Sequence, residues 1–342
     1  MINKMQKITM PSTTFIIIIL FVACSISIVS ALSFGAVTIP FNDILNALFP
    51  SLSDHSVDPI ISQIVVELRL PRILLAFLSG AGLAVAGATL QLVTRNPLAD
   101  PYLFGISAGA SFGAVLVLTA LTGLSILWLP VGAFVGGLVA VFMVLFIAGQ
   151  HTYQQVERML LAGVASSFMF SAATSAILYQ SDPQAATAIL FWTLGSFSQA
   201  EWQNLLAPAI IIGVSVIIFF AYSKQVLAIS SGDENATTLG VNVSTVRLLM
   251  LILSSLICAV IVANAGGIAF VGLLIPHIVR LTLGQRQLNN YFIIALMGAT
   301  FMILIDLVAR TLIQNQEIPL GIITSAIGSV FFLFILKQRR QY

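Results

Sequence analysis

The chain has 342 residues, 59% of them hydrophobic and 8% charged, with a formal net charge of +2 and a mean hydropathy of +1.06. Soluble domains carry about 25% charged residues, so a soluble globular protein is excluded. The whole of 1–342 reads as one transmembrane domain of an all-α, polytopic integral membrane protein with about ten transmembrane helices, because a helix satisfies its own backbone groups in lipid.

Apolar runs of spanning length, which needs about 20 residues as helix, fall near 13–34, 73–94, 103–122, 126–148, 159–179, 203–222, 245–264, 268–283, 291–309 and 319–336. The first is longer than a signal-peptide core and is followed by a poor cleavage site, so it reads as a retained span. Residues 41–49 are amphipathic and read as interfacial, as do 185–197, with Trp192 as an interface anchor. The eighth run is short and follows Ala265-Gly266-Gly267. Gly105, Gly109 and Gly113 recur every four residues, as do Gly132 and Gly136. Small residues at that spacing let helix backbones approach closely, and Ser107 and Ser111 on the same turns could also line a path. Cys24 and Cys258 lie inside apolar runs and read as small core residues.

Basic residues set the orientation. With the N-terminus inside, the inner side holds Lys4, Lys7, Arg95, Arg158, Lys224, Arg247, Arg280, Arg286, Lys337, Arg339 and Arg340. The outer side holds only Arg69, Arg72 and Arg310, with Asp43, Asp54, Asp58, Glu67, Asp182, Glu201 and Glu317. This puts both termini in the cytoplasm.

Several chemistries lack residues. No span carries an Asp, Glu, Lys or Arg at its middle, and such groups mark proton relays and ion paths; Asp306 comes nearest, one turn before Arg310. His55, His151 and His277 are scattered, which argues against a histidine metal site. There is no phosphate loop, no His-Glu-x-x-His and no nucleophile elbow, so the chain does not read as an enzyme.

Three segments carry the functional argument. Glu67-Leu68-Arg69-Leu70-Pro71-Arg72 places two arginines on the side where basic residues are scarce, joined there by Arg310. They could meet lipid headgroups or pair locally, Arg310 with Asp306 and Arg69 with Glu67. They could instead dock an acidic partner, for which the bidentate fork of arginine is suited. The inner loop 224–243 contains Ser231-Gly232-Asp233-Glu234-Asn235-Ala236-Thr237-Thr238-Leu239-Gly240-Val241. Ser231 or Asp233 can cap a short helix there, and Gly240 suits its C′ position; the helix is either a connector or a lever for a soluble engine. In Gly272-Leu273-Leu274-Ile275-Pro276-His277-Ile278-Val279-Arg280, Pro276 interrupts backbone bonding near the end of a short span.

Together with Arg95-Asn96-Pro97-Leu98-Ala99-Asp100-Pro101, Gly105-Ile106-Ser107-Ala108-Gly109-Ala110, Leu160-Leu161-Ala162-Gly163-Val164-Ala165 and Asp306-Leu307-Val308-Ala309-Arg310, these segments resemble the iron-complex (ferric siderophore or haem) and vitamin B12 importer permeases of the ABC superfamily. The resemblance runs from about residue 60 to the C-terminus. It implies a type II importer permease fold in a bacterial inner membrane, paired with a second copy or a paralogue. It implies docking of a periplasmic or lipid-anchored substrate-binding protein on Arg69, Arg72 and Arg310. It also implies coupling to a separate cytoplasmic ATPase, which holds ATP and Mg, through Asp233, Glu234, Ala236, Leu239, Gly240 and Val241. Asn96 and Pro97 match the cytoplasmic gate, and Gly163, Ser166 and Ser167 would line a path at the two-fold interface. No cofactor or nucleic acid is expected on this chain. The leading expectation is a ferric-siderophore permease, with haem or cobalamin as alternatives and an ion-gradient-driven carrier as a reading from another class.

Overall fold

The computed structural model describes residues 12–50, 58–120, 128–148, 156–284, 290–314 and 316–339. Lys4, Lys7, Asp54, His55, His151, Arg286 and Arg340 lie outside the described residues.

The regular elements of the described residues are helices: α1 Thr13–Ser33, α2 Phe41–Leu48, α3 Pro59–Gln63, α4 Leu70–Thr94, α5 Ile106–Val115, α6 Leu129–Ala148, α7 Val156–Tyr179, α8 Pro183–Thr193, α9 Trp202–Ala221, α10 Ser223–Ser230, α11 Asp233–Thr238, α12 Val243–Ala265, α13 Val271–Leu283, α14 Tyr291–Thr311 and α15 Leu320–Arg339. Seven helical stretches are long and apolar enough to cross a bilayer, and three shorter apolar helices, Ile106–Thr119, Val271–Leu283 and Leu320–Ile335, occupy the remaining runs. Seven and three account for the ten expected.

One boundary differs from expectation. The second span does not begin after the arginines; helix runs without a break from Pro59 to Thr94. Pro71 would clash with the carbonyl four residues back in a regular helix. The turn Ile64–Arg69 is instead a π-helix, and Leu70 donates to the Val65 carbonyl. One extra residue in that turn carries the rod past the proline. Arg69 and Arg72 therefore sit on a helix packed inside the protein, both buried.

α4 and α12 form the centre and are buried on nearly all sides, whereas α1, α7 and α9 turn apolar faces outward. Close approach of α5 to α6 depends on the glycines singled out above. A Cβ on Gly113 would overlap the Gly132 carbonyl, and one on Gly109 would overlap that of Gly136.

The shortness of α5 and α13 has one cause. Gly87 of α4 meets the backbone of Gly272 at the start of α13. Gly87 lies seven residues before Thr94, about 10 Å from the end of α4 at 1.5 Å per residue. Asp100 reaches the same level, with Oδ2 3.0 Å from where a Gly272 Cβ would stand. The chain therefore leaves α4 at Arg95, doubles back beside it, and starts α5 part-way through the bundle. Irregular backbone at that depth requires burial in protein. The stretch satisfies this through the Asp100 carboxylate accepting from Tyr102 N at 2.8 Å and the Tyr102 hydroxyl accepting from Ile268 N at 3.1 Å.

Candidate functional site

At the Arg72 end of α4, two arginines and two carboxylates form one network, with Arg69 nearby on backbone carbonyls. Arg72 Nε donates to Asp306 Oδ1 at 2.9 Å and Oδ2 at 3.2 Å. Its Nη1 and Nη2 donate to Glu317 Oε1 at 2.7 Å and Oε2 at 3.0 Å. Arg310 Nε lies 3.2 Å from Asp306 Oδ2, and its Nη2 donates to the Ala31 carbonyl at 3.0 Å. Arg69 donates to the carbonyls of Leu32 and Val37, which tie down the end of α1, and forms no ion pair with Glu67. Buried charge without a partner is costly; here Asp306 answers two arginines at once. Of the two local pairs that stood as the alternative to docking, Arg310–Asp306 is present and Arg69–Glu67 is not. The polar groups meeting solvent belong to Glu317, whose side chain is 44% exposed against 10% for Arg72. Gly35, Arg310, Gln314, Gln316 and Glu317 line an open cavity of about 560 Å³ beside it.

At the Arg95 end, Asp233 is shared by two arginines. Its Oδ1 accepts from Arg247 Nη2 at 2.7 Å and lies 3.3 Å from Arg95 Nη2. Arg247 is 1% exposed and also donates from Nε to the Val93 carbonyl at 2.9 Å, one of those left open where α4 ends. Arg95 ends α4 in the left-handed region, at φ 52°. The loop helix is α11, capped by Gly232; Asp233 occupies its first turn rather than the cap, and Ser231 lies outside it. At the other end Val241 donates to Ala236 O at 3.0 Å and Gly240 to Thr237 O at 2.9 Å. This is a Schellman closure, with Gly240 at φ 80° in the C′ place expected. Ala236 packs inward with no exposure, whereas Glu234 is exposed and Leu239 is 73% exposed.

Asn96 and Pro97 are half-buried beside this junction, and Asn96 Oδ1 accepts from Leu98 N at 2.9 Å, fixing the turn that sends the chain back into the bundle. The returning strand of backbone meets α7, where Leu103 and Phe104 lie against Gly163 and Gly105 lies against Ser166. Ser166 is 1% exposed with no protein partner for its hydroxyl among the described residues, and Ser167 donates to the Gly163 carbonyl at 2.9 Å. The segment 95–105 therefore joins Arg95, Asn96 and Pro97 to Gly163 and Ser166. The arginines at 69, 72 and 310 lie apart, about 35 Å along α4 at 1.5 Å per residue.

Three polar residues that this architecture uses were not singled out from sequence. Asp100 is 4% exposed and its Oδ2 has no partner among the described residues. Arg247 was counted only for orientation. Gln91 donates to the Gly272 carbonyl at 3.1 Å and accepts from Arg280 Nη2 at 2.7 Å. Gln91 carried a readable signal, as a polar residue inside a charge-free span. Asp100 carried none beyond its place between two prolines.

The FecCD transport family model matches residues 17–338. The chain is 37% identical over 302 residues to the hemin transport system permease protein HmuU of Yersinia pestis, covering 87% of this chain and 90% of that one. It is 38% identical over 284 residues to the cobalamin import system permease protein BtuC of Halobacterium salinarum, covering 82% and 75%. Among solved structures it resembles an ABC transporter assigned to the metal-chelate type in an inward-facing conformation, with a TM-score of 0.83, 31% identity and coverage of 95% and 99%. A helical bundle matched almost end to end, and a family model spanning nearly the whole sequence, agree: the chain is a multi-pass ABC-transporter permease and belongs to the FecCD transport family.

Proposed function

We propose that this permease imports a metal chelate, with a ferric siderophore as the first substrate class, and that a separate cytoplasmic ATPase drives it. A soluble or lipid-anchored binding protein delivers substrate at the Arg72 end, which faces outward. The Arg95 end faces the cytoplasm, as do both termini, in a bacterial inner membrane. ATP and Mg belong to the ATPase, which receives the exposed side of α11 around Glu234 and Leu239. Two permeases pair across α7, so that Gly163, Ser166 and Ser167 border the path and Asn96 and Pro97 close it.

The observation that carries this reading is the single rod α4. It ends in an arginine cluster at one side and in the Arg95–Asp233 link to α11 at the other. A helix joined to both surfaces can report docking to the engine. The hemin and cobalamin relatives stand equally near in identity, which favours a bulky metal chelate as the class and keeps haem and cobalamin as the second reading.

The test is uptake in proteoliposomes holding the assembled transporter, with ferric siderophore, haem and cobalamin each supplied on the system's binding protein. ATP-dependent accumulation of the ferric siderophore alone is the expected result. The variant Arg69→Lys with Arg72→Lys, which keeps the buried positive charge but not the bidentate fork, is expected to lose most of both uptake and binding-protein-stimulated ATP hydrolysis while eluting as a folded complex. Survival of both activities would sink the docking assignment, and uptake that persists without ATP would sink the ATP-driven reading.

A further inference from the structure

We infer that Glu317 is a built-in occupant of the docking site: its carboxylate holds the fork of Arg72 and is displaced by an acidic side chain of the delivery protein. The inference rests on the docking reading proposed above and adds what the arginine is doing before the partner arrives.

Arg72 carries two carboxylates of different character. Asp306 is 1% exposed, holds Nε, and is itself fixed by Arg310. Glu317 holds both Nη atoms in a bidentate pair, yet its side chain is 44% exposed and stands between α14 and α15 at the wall of the 560 Å³ cavity. Removing the first would strip Arg72 Nε and Arg310 of the one carboxylate they share. Moving the second aside frees the two Nη donors of a guanidinium that Asp306 still orients, behind the cavity wall to which Glu317 belongs. A bidentate fork recognises any carboxylate of the same geometry. An acidic side chain entering the cavity would therefore find the geometry Glu317 now fills, and Arg310 on the same wall adds positive charge to receive it.

Two consequences separate this from a static ion pair. Docking exchanges one carboxylate for another at Arg72, so the number of ion pairs there stays constant and this contact adds little salt dependence. Glu317 also repels the incoming carboxylate until it swings away, so its charge weakens binding.

The experiment measures the affinity of the transporter's own substrate-binding protein for the assembled transporter in nanodiscs, at several salt concentrations. It compares the natural chain with Glu317→Gln, Arg72→Gln and the double variant. Glu317→Gln is expected to tighten binding about tenfold, or ~1.4 kcal/mol, and to steepen its salt dependence. Arg72→Gln is expected to weaken binding, and Glu317→Gln to add nothing in that background. If Glu317→Gln weakens binding or leaves it unchanged while Arg72→Gln weakens it, the occupant role is wrong and docking at Arg72 stands. If Arg72→Gln binds as the natural chain does, docking at Arg72 falls and the occupant role with it. Arg72→Lys guards against loss of folding, because a point charge keeps the buried charge balance but cannot form the bidentate pair.

Discussion

Pro276 has no N–H to give the Gly272 carbonyl, and α13 nevertheless runs on across it to Leu283. The missing bond is supplied from another helix, because Gln91 Nε2 donates to that carbonyl while Gln91 Oε1 accepts from Arg280. One side-chain amide thus covers a defect in the backbone and steadies a cation one turn further on. Gln91→Leu is expected to destabilise the permease by about 1–3 kcal/mol, the range for stranding a buried polar group. The midpoint of thermal unfolding in detergent reads this. Adding Pro276→Ala is expected to recover part of the loss, since alanine restores the N–H that reaches Gly272 O. If Pro276→Ala only adds to the damage, Gln91 acts through Arg280 or through packing instead. The sequence displays both partners, a proline in a short span and a glutamine in an apolar one, but they are 185 positions apart and nothing in either pattern pairs them.

At the scale of elements, α11 is held by a charge rather than by an apolar face. It has six residues, of which Ala236 is the buried one, and Asp233 ties it to Arg95 of α4 and Arg247 of α12. A helix that short does not persist alone, so its position follows these two arginines. Asp233→Asn keeps the shape and removes the charge. In the assembled transporter it is expected to keep the ATPase bound while abolishing stimulation of ATP hydrolysis by the binding protein, with Asp233→Glu restoring part of the response. Full stimulation in Asp233→Asn would show that α11 signals by another route. The helix itself is legible in the sequence, since Gly240 and the acidic first turn mark its ends. The ten apolar runs are equally legible, because a bilayer sets their length. Depth is not. Hydropathy reports that 103–122 and 268–283 are apolar, but not that α5 and α13 begin part-way through the bundle after irregular backbone. The same blindness places Arg69 and Arg72 in a flank, when a π-turn carries them on one helix with the rest of α4.

At the scale of the whole molecule, the outward faces are not alike. Those of α9 beyond its first turn are apolar, with Ile210, Val214 and Ile217 exposed and Ser215 turned inward. That composition suits lipid. α7 is different, because beside exposed Leu161, Phe168 and Tyr179 it presents Ser171 and Ser175 outward as well. Hydroxyls gain nothing from facing acyl chains, whereas between membrane helices small polar side chains favour close packing and hydrogen bonds. On the pairing proposed above, this asymmetry suits α7, rather than α9, to the face turned toward a second permease. Cysteine substitution tests it, with low background because Cys24 and Cys258 are both buried. Ser171→Cys in membrane-embedded transporter is expected to react with a water-soluble thiol reagent or to cross-link to the neighbouring permease, and substrate delivery is expected to slow the reaction. Ile217→Cys on α9 is expected to react only with a lipid-soluble reagent. If the two behave alike, the path runs elsewhere and α7 is an ordinary lipid-facing helix. If Ser171→Cys alone is water-reactive, the Arg72 cluster, the 95–105 return and α7 form one route, with α4 as the member that reaches both of its ends.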